Sequence, residues 1–266
     1  MTVASKNIKM IITDLDGTLL RADKTISEYT KKVLLHCRKL GIKIAFATAR
    51  TENSSKRFVS AILPDAIISN GGALARCGDA TVYSCAITQE TANCLLRDCV
   101  ESPDVGYITV ETVKGDYFVN HPFDPNSFVW RDYRHGKHND FLQGVGCDVY
   151  KLAVEFYDTK SAYQIAANYP DIGMIGYTGE NWFSFHHKDV TKWNAINHLI
   201  EYMGISVNEV AAFGDDYNDI DMLQKCGIGV AVANAIDEVK SVANYICGTN
   251  DNDGIAKWIE QYIIQN

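Results

Sequence analysis

Short apolar runs, each closing on carboxylate or hydroxyl residues, recur at both ends of this chain with helical periodicity between them. Met10-Ile11-Ile12, Ile42 to Ala47 and Ala66 to Ser69 read as strands. Ser27 reads as the N-cap of an intervening helix with Val33, Leu34 and Cys37 on its apolar side, stopped at Gly41. A second helix around Lys56 to Ile62 ends at Pro64. The pattern resumes downstream. Thr191 to Met203 reads as a helix ended by Gly204, Val210 to Phe213 and Ile228 to Val232 as strands, and Gly254 to Ile264 as a last helix. Strands alternating with helices predict a parallel sheet covered on both faces.

The middle of the chain has another rhythm. Tyr107 to Glu111 and Asp116 to Asn120 read as a hairpin around Lys114-Gly115, Val149 to Tyr157 as a strand and Ser161 to Tyr169 as a helix. Met174 to Tyr177 and Trp182 to His186 read as a second hairpin turning at Gly179. The expected organisation is a discontinuous α/β core, 1–82 and 187–266, with an inserted α+β domain, 83–186.

Charge narrows the function classes. Twenty-five Lys+Arg against 33 Asp+Glu give −8. This argues against a nucleic-acid partner or an anionic membrane surface, both of which want a basic footprint. No run reaches the length of a membrane span, and Met1 to Lys9 carry no signal-like apolar stretch. None of the eight cysteines forms a C-x-x-C pair, so reduced thiols in a cytoplasmic protein are expected.

The chemistry is concentrated where strands end. The first strand runs into Thr13-Asp14-Leu15-Asp16-Gly17-Thr18. In an open α/β sheet, ligands bind beyond the carboxyl ends of strands. Two carboxylates placed there can share a cation. A calcium loop fits poorly, because Thr18 and Leu19 occupy its third-ligand and glycine positions and Thr25 replaces its final Glu. The second strand ends in Thr48-Ala49-Arg50, and a late strand in Gly214-Asp215-Asp216-Tyr217-Asn218-Asp219-Ile220-Asp221. Acids this dense raise one another's pKa unless a cation intervenes, and a hard divalent ion with oxygen ligands is the simplest remedy. Lys192, in the first turn of its helix, opposes the helix dipole and is suited to a phosphate. Walker, dinucleotide, zinc-protease and G-x-S-x-G motifs are absent from the sequence.

Together these segments resemble the haloacid dehalogenase (HAD) superfamily. Asp14-Leu15-Asp16-Gly17-Thr18 is similar to its first motif, Thr48 to its second, Lys192 to its third, and Gly214-Asp215-Asp216 with Asn218-Asp219 to its fourth. The long insert and Ser69-Asn70-Gly71-Gly72-Ala73 resemble the Cof-type branch with its α/β (C2B-type) cap. The resemblance implies a Rossmann-like parallel sheet with helices on both faces, and a Mg²⁺-dependent phosphatase acting on a small phosphorylated metabolite, foremost a sugar phosphate. It implies Asp14 as nucleophile, Asp16 as general acid and base, and Mg²⁺ held by Asp14, Asp16 (through its main-chain carbonyl) and Asp215. Asp219 would orient metal waters or Lys192, and Asp216 either touches a metal water or caps a helix. Thr48 and Lys192 would hold phosphoryl oxygens, with Ala49, Asn70, Gly71 and Asn218 also against the substrate. A phosphosugar mutase and a catalytically silent binding module are the alternatives.

The sequence departs from the family pattern at Trp193 and Ala49, where relatives commonly have Gly; altered packing is expected there. In the insert, Arg131, Arg134, His135, Lys137 and His138 form a basic patch, read as a solvated loop or a clamp for a second acidic group. Trp182 and either His186 or His187 are candidate substrate contacts. A monomer or weak homo-oligomer is expected.

Overall fold

The computed structural model describes residues 7–121, 136–177 and 179–265. In chain order the elements are β1 (Met10–Thr13), α1 (Glu28–Lys39), β2 (Lys43–Ala47), α2 (Glu52–Ile62), β3 (Ala66–Ser69), β4 (Leu74–Cys77) and β5 (Ala80–Ser84). Then follow α3 (Gln89–Glu101), β6 (Val105–Thr112), β7 (Tyr117–Val119), β8 (Lys137–His138), β9 (Val149–Phe156), α4 (Thr159–Ala166), β10 (Ile172–Gly176) and β11 (Trp182–His187). The chain closes with α5 (Lys192–Met203), β12 (Val210–Gly214), α6 (Ile220–Lys225), β13 (Ile228–Ala231), α7 (Asp237–Val242), β14 (Tyr245–Ile246) and α8 (Gly254–Ile259).

Two compact units result. One comprises the chain up to Arg50, Lys56–Tyr83 and the chain from Thr191 onward; the other comprises Thr51–Ser55 and Ser84–Val190. The first is built on an eight-stranded sheet in the order β14-β13-β12-β1-β2-β3-β4-β5. From β14 to β3 every pairing is parallel, and β4 runs antiparallel to β3. Central strands of such a sheet are buried on both faces and read as unbroken apolar runs. Met10, Ile11 and Ile12 of β1 are indeed wholly buried. Helix pairs α1/α8 and α5/α6 pack beside this sheet.

Helix ends follow the local chemistry. The Ser27 and Thr191 hydroxyls accept hydrogen bonds from Thr30 N and Asn194 N at 3.0 Å each, satisfying amides that have no partner within their helices. Gly204 closes α5 in the left-handed conformation. Several boundaries differ from the sequence expectation, α4 among them at Thr159–Ala166 instead of Ser161 to Tyr169, and two have a visible local form. α2 begins at Glu52 rather than near Lys56, because the Thr51 hydroxyl accepts from Ser54 N at 3.0 Å and starts the helix inside a polar stretch. The C-terminal helix is α-helical over Gly254–Ile259, and Glu260–Ile264 continue as a π turn.

The second unit carries a sheet in the order β10-β11-β9-β6-β7-β8. Ile108, Val110, Leu152, Val154, Phe183 and Phe185 join α3 and α4 residues in one apolar cluster. Alternation turns Thr109, Glu111, Ser184 and His186 to the other face. The hairpin expected around Gly115 is formed by β6 and β7, and Gly115 has the positive φ of 81° that its turn needs. Helix α3 was not expected from the sequence. It is capped by Thr88, and it buries a stripe of Ala92, Leu95, Leu96 and Cys99 at helical spacing.

In the first unit, one close contact fixes the start of α5 at the carboxyl end of β3. Asn70–Gly72 form a tight turn after β3, against which α5 begins. Gly72 has φ 113°, and a Cβ there would lie 2.2 Å from Thr191 O and 2.8 Å from Lys192 N, both backbone atoms. The Gly72→Ala variant is therefore expected to lose about 1–3 kcal/mol of stability and to displace the start of α5, read as a lowered Tm together with lost activity.

Candidate active site

Parallel register brings four strand ends to one edge of the sheet. Thr13 pairs with Phe213 on one side and Phe46 on the other, so Asp14, Thr48 and Asp215 leave their strands at the same level. Main-chain bonds extend the register one residue further, from Asp14 N to Phe213 O at 3.0 Å and from Thr48 N to Ile68 O at 2.9 Å. Asn70 N donates to Arg50 O at 2.8 Å and Gly71 N to Thr48 O at 3.0 Å, locking the turns after β2 and β3 together.

Lys192 stands at the centre. Its Nζ donates to Asp14 Oδ1 at 2.6 Å and to Asp219 Oδ1 at 2.7 Å, with all three side chains buried. Asp219 is held in turn by the backbone, its Oδ2 accepting from Asp215 N at 3.0 Å and Asp216 N at 3.3 Å. Thr18 Oγ1 donates a short hydrogen bond to Asp215 Oδ1. Gly17, at φ 79°, passes so close to Asp215 that a Cβ would sit 2.2 Å from its Oδ2. A side chain at this position would push the Asp215 carboxylate out of the site.

Asp14, Asp215 and Asp219 each offer a carboxylate oxygen, all within 4.8 Å of one another. Burial raises the Asp14 pKa well above the usual carboxylate range; the Lys192 charge pulls it back, and the neighbouring Asp219 and Asp215 push it up again. Burial also lifts Asp215, to about 6, with the Thr18 hydrogen bond opposing and Asp219 adding to the rise. Burial alone would depress the Lys192 pKa, but Asp14 and Asp219 outweigh it and hold the ammonium protonated. One ammonium among three carboxylates leaves the cluster with excess negative charge. A hard divalent cation with oxygen ligands fits that donor set.

Asp16 is turned away from this cluster. Its Oδ2 accepts from Arg50 Nε at 2.5 Å, and its Oδ1 from Arg50 Nη2 at 2.8 Å and Lys24 Nζ at 2.7 Å. Burial would raise its pKa, but these two cations win and lower it. Asp216 acts as a cap, accepting from Tyr217 N at 2.8 Å. Thr48, 1% exposed, accepts at Oγ1 from Arg50 N at 3.1 Å, and Ala49 lies between them. Asn70 is 2% exposed and adopts φ 53°; its Oδ1 and Nδ2 are buried with no hydrogen-bond partner among the described residues, as is Asn218 Oδ1. Buried amides of this kind are costly unless a polar ligand completes them.

Sequence reasoning passed over three participants. Thr18 and Arg50 lie inside the quoted motifs without an assigned contact. Lys24 reaches Asp16 from a left-handed position, φ 61°, that no sequence pattern marks. Trp193 packs against the core, with Lys225 Nζ 5.6 Å from its ring centroid.

In the inserted unit, His186 is buried, its pKa lowered by that burial, and its Nδ1 faces His187 O at 3.0 Å. His187, on the opposite face of β11, is half-buried. Trp182 lies 6.5 Å, centroid to centroid, from Tyr107. Of the basic patch, Arg131, Arg134 and His135 lie outside the described residues; Lys137 pairs with Asp116 at 2.6 Å, and His138 is exposed. None of the eight cysteines forms a disulfide. No helix of the described residues is long and apolar enough to cross a membrane.

Comparison with known proteins agrees with this geometry. The family model described as haloacid dehalogenase-like hydrolase matches residues 11–259. A Bacillus subtilis protein named 5-amino-6-(5-phospho-D-ribitylamino)uracil phosphatase YitU is 27% identical over 262 residues, 95% of this chain and 97% of that one. A solved haloacid dehalogenase-like hydrolase from Bacteroides thetaiotaomicron superposes with a TM-score of 0.84 at 25% identity, covering 96% of this chain and 99% of that one. The structure of the HAD subclass IIB sugar phosphatase BT4131 superposes with a TM-score of 0.81 at 26% identity, covering 96% and 98%. A family match across nearly the whole chain, with acidic loops gathered at the carboxyl edge of a parallel sheet, establishes that this chain belongs to the haloacid dehalogenase-like hydrolases.

Proposed function

We propose that this protein is a cytoplasmic Mg²⁺-dependent phosphatase that hydrolyses a small phosphorylated metabolite, a sugar phosphate foremost, through an aspartyl-phosphate on Asp14. The observation that carries this reading is the buried Lys192 ammonium bonded to Asp14 and Asp219, with Asp215 beside them. The names of the relatives point the same way: the B. subtilis protein is called a phosphatase and the structural neighbour a sugar phosphatase. Residues 83–186 are proposed as a cap domain that selects the leaving group, and 1–82 with 187–266 as the catalytic core.

Asp14, Asp215 and the main-chain carbonyl of Asp16 would hold Mg²⁺. Bound there, the ion supplies positive charge that offsets repulsion between a carboxylate nucleophile and a phosphate dianion. Asp14 attacks phosphorus, and the alcohol leaves. Lys192 and Thr48 bind the phosphoryl oxygens, where charge must be stabilised. Asn70, with both amide atoms unpartnered, and Asn218 offer further hydrogen bonds, beside Ala49 and Gly71. Asp219 keeps Lys192 aimed at the nucleophile. Asp16 protonates the leaving alcohol and then activates water against the aspartyl-phosphate. Gripped by Arg50 and Lys24 it is ionised, the form suited to the second step; the first requires that grip to loosen.

Phosphate release from sugar phosphates, nucleotides, pyridoxal phosphate and flavin mononucleotide tests the reading. With Mg²⁺, at least one substrate is expected to turn over, and EDTA is expected to stop it. Asp14→Asn is expected to lower kcat more than about 10³-fold with an unchanged circular dichroism spectrum; near-normal turnover in that variant defeats the nucleophile assignment. Phosphate moved between hydroxyls without release would indicate the mutase instead.

The raised carboxylate pKa values make a second prediction. A carboxyl whose folded pKa exceeds its unfolded value favours the fold at low pH, and that contribution is lost as pH rises through the folded pKa. For Asp215 the window runs from about 4 to about 6. The metal-free protein therefore carries an uncompensated charge at pH 7 that it lacks at pH 5. Added Mg²⁺ is expected to raise Tm several degrees at pH 7 and much less at pH 5. Equal shifts at both pH values would remove Asp215 from the ion's ligands.

A further inference from the structure

The turn that follows the candidate nucleophile is fastened at both ends by two asparagines from the far end of the sequence. Asn234, in the loop after β13, donates from Nδ2 to Gly17 O at 2.7 Å. Its Oδ1 accepts from Asn250 N at 3.0 Å. Asn250, after β14, donates from its own Nδ2 to Leu20 O at 2.9 Å. The residues beyond are pinned as well, with Ala22 N donating to Asp251 Oδ1 at 2.9 Å and Arg21 paired with Asp253 at 2.8 Å.

This chain of bonds returns to Asp215. Ile236 N, two residues after Asn234, donates to Asp215 O at 3.0 Å. Thr18, the neighbour of Gly17, donates its hydroxyl to Asp215 Oδ1. Gly17 itself is packed against the Asp215 carboxylate. Asn234, Gly17-Thr18, Asp215 and Ile236 thus form a closed ring joining the loops after β1, β12 and β13. Asn234 is exposed, so its bonds satisfy no buried group and give little net stability. What they fix is where Gly17 and Thr18 sit, and through them the direction of the Asp215 carboxylate. The amide of Asn234 supplies its donor and its acceptor on two separate atoms of one short stem, so it reaches both partners at once.

We propose that Asn234 and Asn250 are positioning residues, which hold the Gly17–Leu20 turn so that Asp215 is preset for a divalent cation. The proposal rests on the Mg²⁺-binding role proposed above for Asp215. Groups that orient ligands from behind typically change metal affinity 10–100-fold when removed. Asn234→Ala is expected to weaken Mg²⁺ binding about tenfold by titration calorimetry. It is also expected to lower kcat at saturating Mg²⁺ while leaving KM within about twofold, since the turn acts on the reacting centre rather than on substrate recognition. Asn250→Ala should behave similarly but more weakly, and the double variant should fall short of the product of the two, because both act through one brace.

Hydrogen exchange gives a readout that needs neither substrate nor metal. The Thr18 and Leu20 amides both donate to Leu15 O within this turn. Their protection is expected to drop about tenfold in Asn234→Ala. Mg²⁺ affinity and amide protection both equal to wild type would overturn the proposal. So would a lowered Tm with unchanged Mg²⁺ affinity well below it, which marks a merely structural role. If the wild-type protein binds no Mg²⁺, the metal reading fails separately, and unchanged amide protection then still overturns the brace.

Discussion

A single ammonium organises this molecule's chemistry. Lys192 is fully buried, and its Nζ lies 2.6 Å from Asp14 and 2.7 Å from Asp219. Taking such charges out of water costs several kcal/mol per ion, and removing one partner of a buried set costs about 3–5 kcal/mol. Against a total stability of about 5–15 kcal/mol for a folded chain, that is a large share to commit to one contact. A hydrophobic substitute would fill the space more cheaply. The arrangement makes sense as the way to keep a carboxylate and a cation together in a dry place. On the function proposed above, an approaching phosphoryl group would there meet fixed charge rather than solvent that must reorganise.

The contact exists only because the sheet is parallel and in register. Asp14 follows β1, Asp219 lies in the turn after β12, and Lys192 opens α5, far apart in sequence. Adjacent parallel strands, each ending at the same level, place their loops on one edge. Small residues then let the loops approach. Gly17 admits Asp215, and Gly72 admits the first residues of α5. Neither glycine does chemistry, yet each decides whether a charged group arrives at the right depth.

Much of this was legible in the sequence, for a physical reason. A buried parallel strand needs an unbroken apolar run, so Met10 to Ile12, Ala66 to Ser69 and Val210 to Phe213 identified themselves, and the acidic residues after the first and last of these marked the site. Caps at Ser27 and Gly204 were equally plain, because only a few side chains can satisfy or leave a helix end. What escaped depends on contacts between distant segments. Helix α3 carries an apolar stripe of Ala92, Leu95, Leu96 and Cys99 at helical spacing that was passed over within a segment read as strand-rich. Asn234 sits in a loop whose partner, Gly17, becomes a neighbour only after the sheet forms, and Lys24 meets Asp16 only through the fold of their shared loop. The positive φ of Lys24, unusual for a lysine, is marked by no sequence pattern.

Asp14 and Asp16 show how environment separates two chemically identical side chains two residues apart. Alternation along an extended segment sends successive even positions the same way, but Gly17 turns the chain immediately after Asp16, and the two carboxylates part. Asp14 is left among other acids, with burial pushing its pKa up. Asp16 faces Arg50 and Lys24 and is pulled down. Pairs of titratable groups driven in opposite directions are the usual mark of divided roles in an active site. The shift at Asp14 calls for added positive charge before it can act as an anion, while the shift at Asp16 calls for a cation to be withdrawn before it can carry a proton. On the function proposed above, a phosphoryl substrate arriving with a divalent ion would bring positive charge to the first and compete for the cations held by the second, so that one binding event would move both groups toward the states that the reaction needs.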